Sequence, residues 1–303
     1  MNHMKKLLLS LTLILFLFSC GEDADPDDDD NTTQDTTSTD DSRRAKLSPD
    51  VIKGIIESIP NPIEISFLIK ETGLKYDPTI LNSIDKISDY NTDYRKALNL
   101  GVYSTDLGYA NIYGQSQDAI NFLQGVKEMA DGLNIGKFFD YETIKTLASN
   151  SDKLDELIQE TTTNLERMNE YLQQEDRSDM TVLILTGAWV EAVYLTTSVA
   201  QKQSNDQLNI RIAEQKVTLD QLSLLLGHYE TSPKMKKLKA ELEELDQAYK
   251  NIDVKYEKGE SKEVIEDGIL TIQQTEVPVI NMTQEDLDNI YQKISDIRSQ
   301  IIS

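Results

Sequence analysis

The sequence predicts an all-α fold: an elongated multi-helix bundle of antiparallel helical hairpins, about eight to ten helices, over residues 47–303. Three observations predict it. Beyond residue 46 the apolar residues recur at three-and-four spacing with almost no sustained alternation. The chain is poor in Gly and Pro, with 13 and 7 among 303 residues. Helix-start chemistry recurs between the apolar stripes.

The first 46 residues are different in kind. Lys5 and Lys6 precede an apolar run from Leu7 to Phe18, broken only by Ser10 and Thr12. That run is too short for a bilayer span and matches a secretory signal over residues 1–19. Its end, Leu17-Phe18-Ser19-Cys20-Gly21, resembles the lipobox of bacterial lipoproteins. The resemblance implies that Cys20 is lipidated and becomes the mature N-terminus, with the membrane as a partner through the lipid. Cys20 is the single cysteine of the chain, so no intrachain disulfide can form.

Residues 20–46 then read as the lipidated cysteine and an acidic tether. Glu22, Asp23, Asp25, Asp27 to Asp30, Asp35, Asp40 and Asp41 stand among Thr, Ser, Asn and Gln, without one large apolar residue up to Ala45. Such a segment cannot offset its ordering entropy and is expected to be disordered. The alternating carboxylates from Asp23 to Asp29 lack the central Gly and closing Glu of a calcium loop. Glu22-Asp23 resembles the signal that places lipoproteins on the outer face of the outer membrane. Surface exposure there is the expected location, with a periplasm-facing anchor as the alternative. Asp35-Thr36-Thr37 resembles a short O-glycosylation acceptor of such bacteria.

In the helical region, Pro60 and Pro62 bound a short connection, and Pro78 precedes a short helix. Residues 92–113 and 179–200 are apolar around most of their circumference, which predicts central helices buried on several sides. Small residues Gly101, Ser104, Gly108, Gly187, Ala188 and Ala192 would let neighbouring backbones approach closely. Gly101-Val-Tyr103 and Gly187-Ala-Trp189 make the two segments alike. Glu191 and the shortness of the 180–195 run argue for a core helix rather than a membrane span.

Gln115 to Asn134 predicts a further helix, with Gly136 as its C-cap. Leu154, Leu157, Thr161, Leu165, Met168 and Leu172 line one face of another. Leu208, Ile212, Leu219, Leu222, Leu226 and Tyr229 form a stripe, with Gln215 in its gap. Met235, Leu238, Leu242, Leu245, Tyr249, Ile252 and Tyr256 form a heptad seam. Ser232-Pro233 between them supplies a cap and a first helical residue, so the two helices should fold back on one another. Glu276-Val277-Pro278-Val279 is expected to be an extended linker. Leu287, Ile290, Ile294, Ile297 and Ile301 make the last helix, entered through Thr283 to Asp286.

The formal net charge of −23 argues against nucleic acid or anionic lipid as a partner, and loss of Lys5 and Lys6 deepens it. His228 is the single histidine beyond the signal, so imidazole-rich metal sites are excluded, and the lone cysteine excludes thiolate sites. Glu-x-x-His pairs, a phosphate loop and a dinucleotide fingerprint are absent. No catalytic residue, metal ligand or cofactor is therefore assigned.

Asp106 and Glu191 are the candidate site residues, because an unpaired carboxylate inside an apolar helix is costly. Tyr103, Tyr109, Trp189 and Tyr194 stand near them with hydroxyl and indole donors, as a pocket for a cation or small ligand would require. Asn61-Pro-Ile-Glu-Ile-Ser-Phe67 and Leu100-Gly-Val-Tyr103 resemble segments of all-helical lipoproteins of Gram-negative bacteria, which implies the fold and no activity. The expected role is non-enzymatic: a lipid-anchored binding or structural protein with a protein partner in the envelope. A small-ligand or cation-binding bundle is the alternative, and a hydrolase the third reading.

Overall fold

A helix with no polar side has to be enclosed, and the two such helices of this chain pack on each other. The computed structural model describes residues 47–303 apart from 60–61, 204, 230–231 and 267–268. The signal, Cys20 and the acidic tether lie outside the described residues. Within them the fold is an all-α multi-helix bundle with one small two-stranded sheet. The helices are α1 (Pro49–Ser58), α2 (Pro62–Glu71), α3 (Asp93–Ile112), α4 (Ser116–Gly132), α5 (Tyr141–Ala148), α6 (Leu154–Gln174), α7 (Ser178–Lys202), α8 (Asp206–His228), α9 (Pro233–Tyr249) and α10 (Gln284–Ile301). Short 3₁₀ turns at Pro78–Ile80 and Ile84–Asp89 lead into α3.

The α3–α7 pair forms the centre. A Cβ on Gly101 would collide with the Ile184 carbonyl oxygen, and one on Gly187 with the Leu98 carbonyl. Each glycine thus lets the other helix's backbone into contact, and the Gly-x-aromatic segments meet where they are alike. Helices α2, α6, α8 and α10 pack around α7. By length and composition α7 could cross a membrane, but 94% of its most apolar window is buried inside the fold. Burial, rather than the shortness read from 180–195, makes it a core helix: it runs for 25 residues.

The helix ends follow local chemistry. Thr92 caps α3, its hydroxyl accepting from the Arg95 N–H at 3.3 Å. Thr283 and Asp286 form a reciprocal capping box at α10. At the end of α4 the left-handed residue is Asn134 (φ 62°), not the expected Gly136. The Asn134 and Ile135 N–H groups bond Asp131 O and Ala130 O at 3.0 Å, a complete Schellman motif. Asparagine tolerates this region, so the motif needed no glycine. A Cβ on Gly136 would meet the Asp131 carboxylate, a half-exposed side chain that can turn away.

The largest departure from expectation lies after α9. The seam holds through Tyr249 and Ile252, both buried. The helix stops at Tyr249, and Tyr256, read as the end of the heptad, sits on a strand with 57% of its surface exposed. Strands β1 (Val254–Glu266) and β2 (Ile269–Ile280) pair antiparallel, with Val254 opposite Ile280, Glu266 opposite Ile269 and an irregularity between Lys258 and Ser261. The segment Glu276 to Val279 is therefore half of a hairpin rather than a linker. Pro278, which lacks an N–H, lies near the base of this ribbon, where a two-stranded sheet leaves an edge free.

Candidate functional site

The two carboxylates singled out from the sequence meet in the fold. Asp106 comes from α3 and Glu191 from α7, and neither has any exposed surface. Between them and solvent stands Arg298 of α10, 7% exposed. Its Nε donates to Glu191 Oε2 at 2.6 Å and its Nη2 to Oε1 at 2.8 Å, a bidentate fork. Nη2 also donates to Ile80 O at 3.0 Å, which ties the 3₁₀ turn to the same centre. The Tyr194 ring, one turn beyond Glu191, covers the guanidinium at 4.2 Å and stacks on Tyr291.

Asp106 is the acid of the cluster. Its Oδ2 accepts the Asn82 N–H at 3.1 Å. Burial, and then the neighbouring Glu191 charge, push its pKa well above the ordinary value of 3.8. Oδ1 is buried without a hydrogen-bond partner among the described residues. Burial alone would lower the pKa of Arg298, but the Glu191 charge and hydrogen bonds hold it above its usual range. A proton held on Asp106 would leave one carboxylate against one guanidinium and make the cluster neutral. Arg298 supplies the positive charge that a bound cation would otherwise bring.

The remaining expected residues are turned to other partners. Tyr103 donates to Ser83 O at 2.9 Å. The Tyr109 hydroxyl accepts the Asp77 N–H at 3.4 Å, and its ring packs on Tyr76 and Tyr113. Trp189 donates through Nε1 to Gln215 Oε1 at 2.9 Å. That bond explains why a buried glutamine fills the gap in the α8 stripe. Of the six, Asp106, Glu191 and Tyr194 gather round Arg298, and Tyr103, Tyr109 and Trp189 do not.

Sequence reading missed Arg298. The signal was present: Arg298 stands four residues after Ile294 and three before Ile301, on the buried stripe itself. A charge at such a position needs a partner in the core.

A second neighbourhood of the α3–α7 pair is open. A cavity of about 550 Å³ lies where α6 and α1 stand off it. Leu100, Gly101, Ser104 and Leu107 of α3, Ile184, Leu185 and Ala188 of α7, and Leu165, Met168 and Asn169 of α6 line it. Ile56 of α1 and Phe139 close parts of its wall, and Lys53, Glu57, Glu166 and Glu170 stand at its rim. None of the Arg298 cluster borders it. Comparisons with protein-family models, curated proteins and solved structures find no match to this chain.

Proposed function

We propose that the chain is an outer-membrane lipoprotein, anchored through Cys20 and exposed at the cell surface, whose helical body binds a protein partner without catalysing a reaction. The observation that carries this reading is the placement of exposed apolar surface. Among the described residues, seven large apolar side chains stay exposed, and five of them sit on α8 or the hairpin. They are Val217, Leu224, Tyr256, Val277 and Val279. Val217 and Leu224 are seven apart and share one face of α8, while Val277 and Val279 share one face of β2.

The hairpin adds a second property. An isolated two-stranded ribbon is marginal in water, and each strand has an edge with no further strand among the described residues. Free edges beside apolar side chains suit a partner that supplies an extended segment or an apolar face. Tyr256 holds the base of the ribbon to α8 through its hydroxyl, which donates to Glu214 Oε1 at 2.9 Å.

A photo-cross-linker at Val217 in intact envelopes should capture one recurring protein. Replacing residues 254–280 by a short Gly-Ser turn should abolish the capture while the helical circular dichroism of the body persists. Capture undiminished by that deletion would sink the proposed face. Cys20→Ser should release the protein from the membrane fraction. Protease added to intact cells should degrade the anchored protein, and full protection would instead place it on the periplasmic side.

A further inference from the structure

The 550 Å³ cavity beside α3 and α7 is within the range that holds small molecules in proteins. Its floor is apolar: Leu100, Leu107, Ile184, Leu185 and Met168 are all buried. Three of the hydroxyls that reach it already donate to backbone carbonyls, Thr105 to Gly101 O and Ala188 O at 3.2 Å. Ser104 donates to Leu100 O at 2.7 Å, and Thr161 to Leu157 O at 2.8 Å.

Asn169 is the exception. It is 8% exposed and borders the cavity, yet its side-chain amide forms no hydrogen bond among the described residues. Its amide atoms are not among the enclosed polar atoms left without a partner, so they keep accessible surface where Asn169 lines the cavity. A ligand carrying one polar group can bond the amide there.

The rim specifies the charge of that ligand. Among the described residues that line it, Glu57, Glu166 and Glu170 face a single cation, Lys53, which pairs with Glu57 at 3.7 Å. An anionic head group would meet this rim and the protein's net charge of −23 together.

We propose that the cavity binds a small amphiphile, whose apolar chain or ring system lies over Ile184 and Leu185 and whose uncharged or cationic polar group bonds Asn169 beneath the acidic rim. The site is separate from the α8–hairpin face and does not depend on a protein partner.

The test uses the full chain carrying Cys20→Ser, so that no attached lipid competes. Diphenylhexatriene, a fluorescent hydrocarbon, should bind saturably. Dodecylammonium and 1-dodecanol, below their aggregation concentrations, should displace it at least about tenfold more effectively than dodecanoate. Leu165→Trp, which fills the cavity from α6, should weaken the probe at least about tenfold. Asn169→Leu should spare the hydrocarbon probe and weaken 1-dodecanol by about fivefold or more.

The double variant Glu166→Lys/Glu170→Lys changes exposed side chains only and should reverse the preference toward dodecanoate. Absence of saturable probe binding, or binding indifferent to Leu165→Trp, would overturn the site. Should Leu165→Trp fail to fold, the double variant decides alone, and an unchanged displacement order overturns the proposal.

Discussion

The same pair of helices is finished in two ways. Where α10 completes it, the Asp106 and Glu191 carboxyl groups and the Arg298 guanidinium are enclosed together, and Arg298 makes its contacts to protein. Where α6 and α1 approach it, about 550 Å³ is left empty and the Asn169 amide has no protein partner. The difference teaches that burial of polar groups in this fold is not uniform in purpose. A closed network fixes how three helices and a turn sit together. A cavity with an unmet amide contributes nothing to that and is a place for something else.

The largest effect should come from breaking the closed side. Arg298→Met leaves Glu191 charged and unpaired, and should cost about 3–5 kcal/mol in urea unfolding. The double variant Glu191→Leu/Arg298→Met should recover most of that loss, because no isolated charge remains. Failure to recover would mean that the fork specifies the packing as well as balancing charge.

Next in size is a contrast between the backbone contact of the α3–α7 pair and the cavity beside it. Gly101→Ala pushes a methyl into the Ile184 carbonyl and should cost about 1–3 kcal/mol by thermal or urea melting. Ser104→Val, one turn away on α3, points added methyls at empty space and should change stability by less than about 1 kcal/mol. Equal losses would remove the distinction between the two regions.

The Asp106 proton gives a third test. The folded pKa is raised above the unfolded one, so the folded state holds the proton more tightly. Its stabilising contribution is full below the unfolded value near 3.8 and is lost as pH rises through the folded value. Urea midpoints should therefore fall across that rise in the native chain. Asp106→Asn, which resembles the protonated form, should flatten this dependence and be no less stable in alkali. The smallest effect belongs to a surface pair: Asp77→Asn, which loses its contact with Lys202, should cost less than about 1 kcal/mol.

Much of this was legible before any coordinates. Continuous apolar character placed α3 and α7 at the centre, and the carboxylates within them were the correct residues to suspect of meeting. Thr283 and Asp286 announced the start of α10. Arg298 was less legible because it lies on an amphipathic helix, where a base ordinarily belongs to the solvated face.

The hairpin escaped for a different reason. Strand β1 is rich in Glu and Lys, which have little preference for sheet, and its Tyr256 continues the seven-residue spacing of Met235 to Tyr249, although β2 is rich in Ile, Thr and Val. The overlooked signal was Asp267-Gly268, a two-residue hairpin turn sequence, between Val264-Ile265 and Ile269-Leu270. Neither the cavity nor the unmet Asn169 could be read from the sequence, since both depend on how far α6 stands from α7.

The Arg298–Glu191 fork also has a consequence for the order in which the molecule can be made. The two residues are 107 positions apart. A chain that appears from its N-terminus presents Glu191 inside an apolar helix long before its counter-charge exists. Helices α3 and α7 that close over that carboxylate before α10 has followed them carry the cost of an unpaired buried charge.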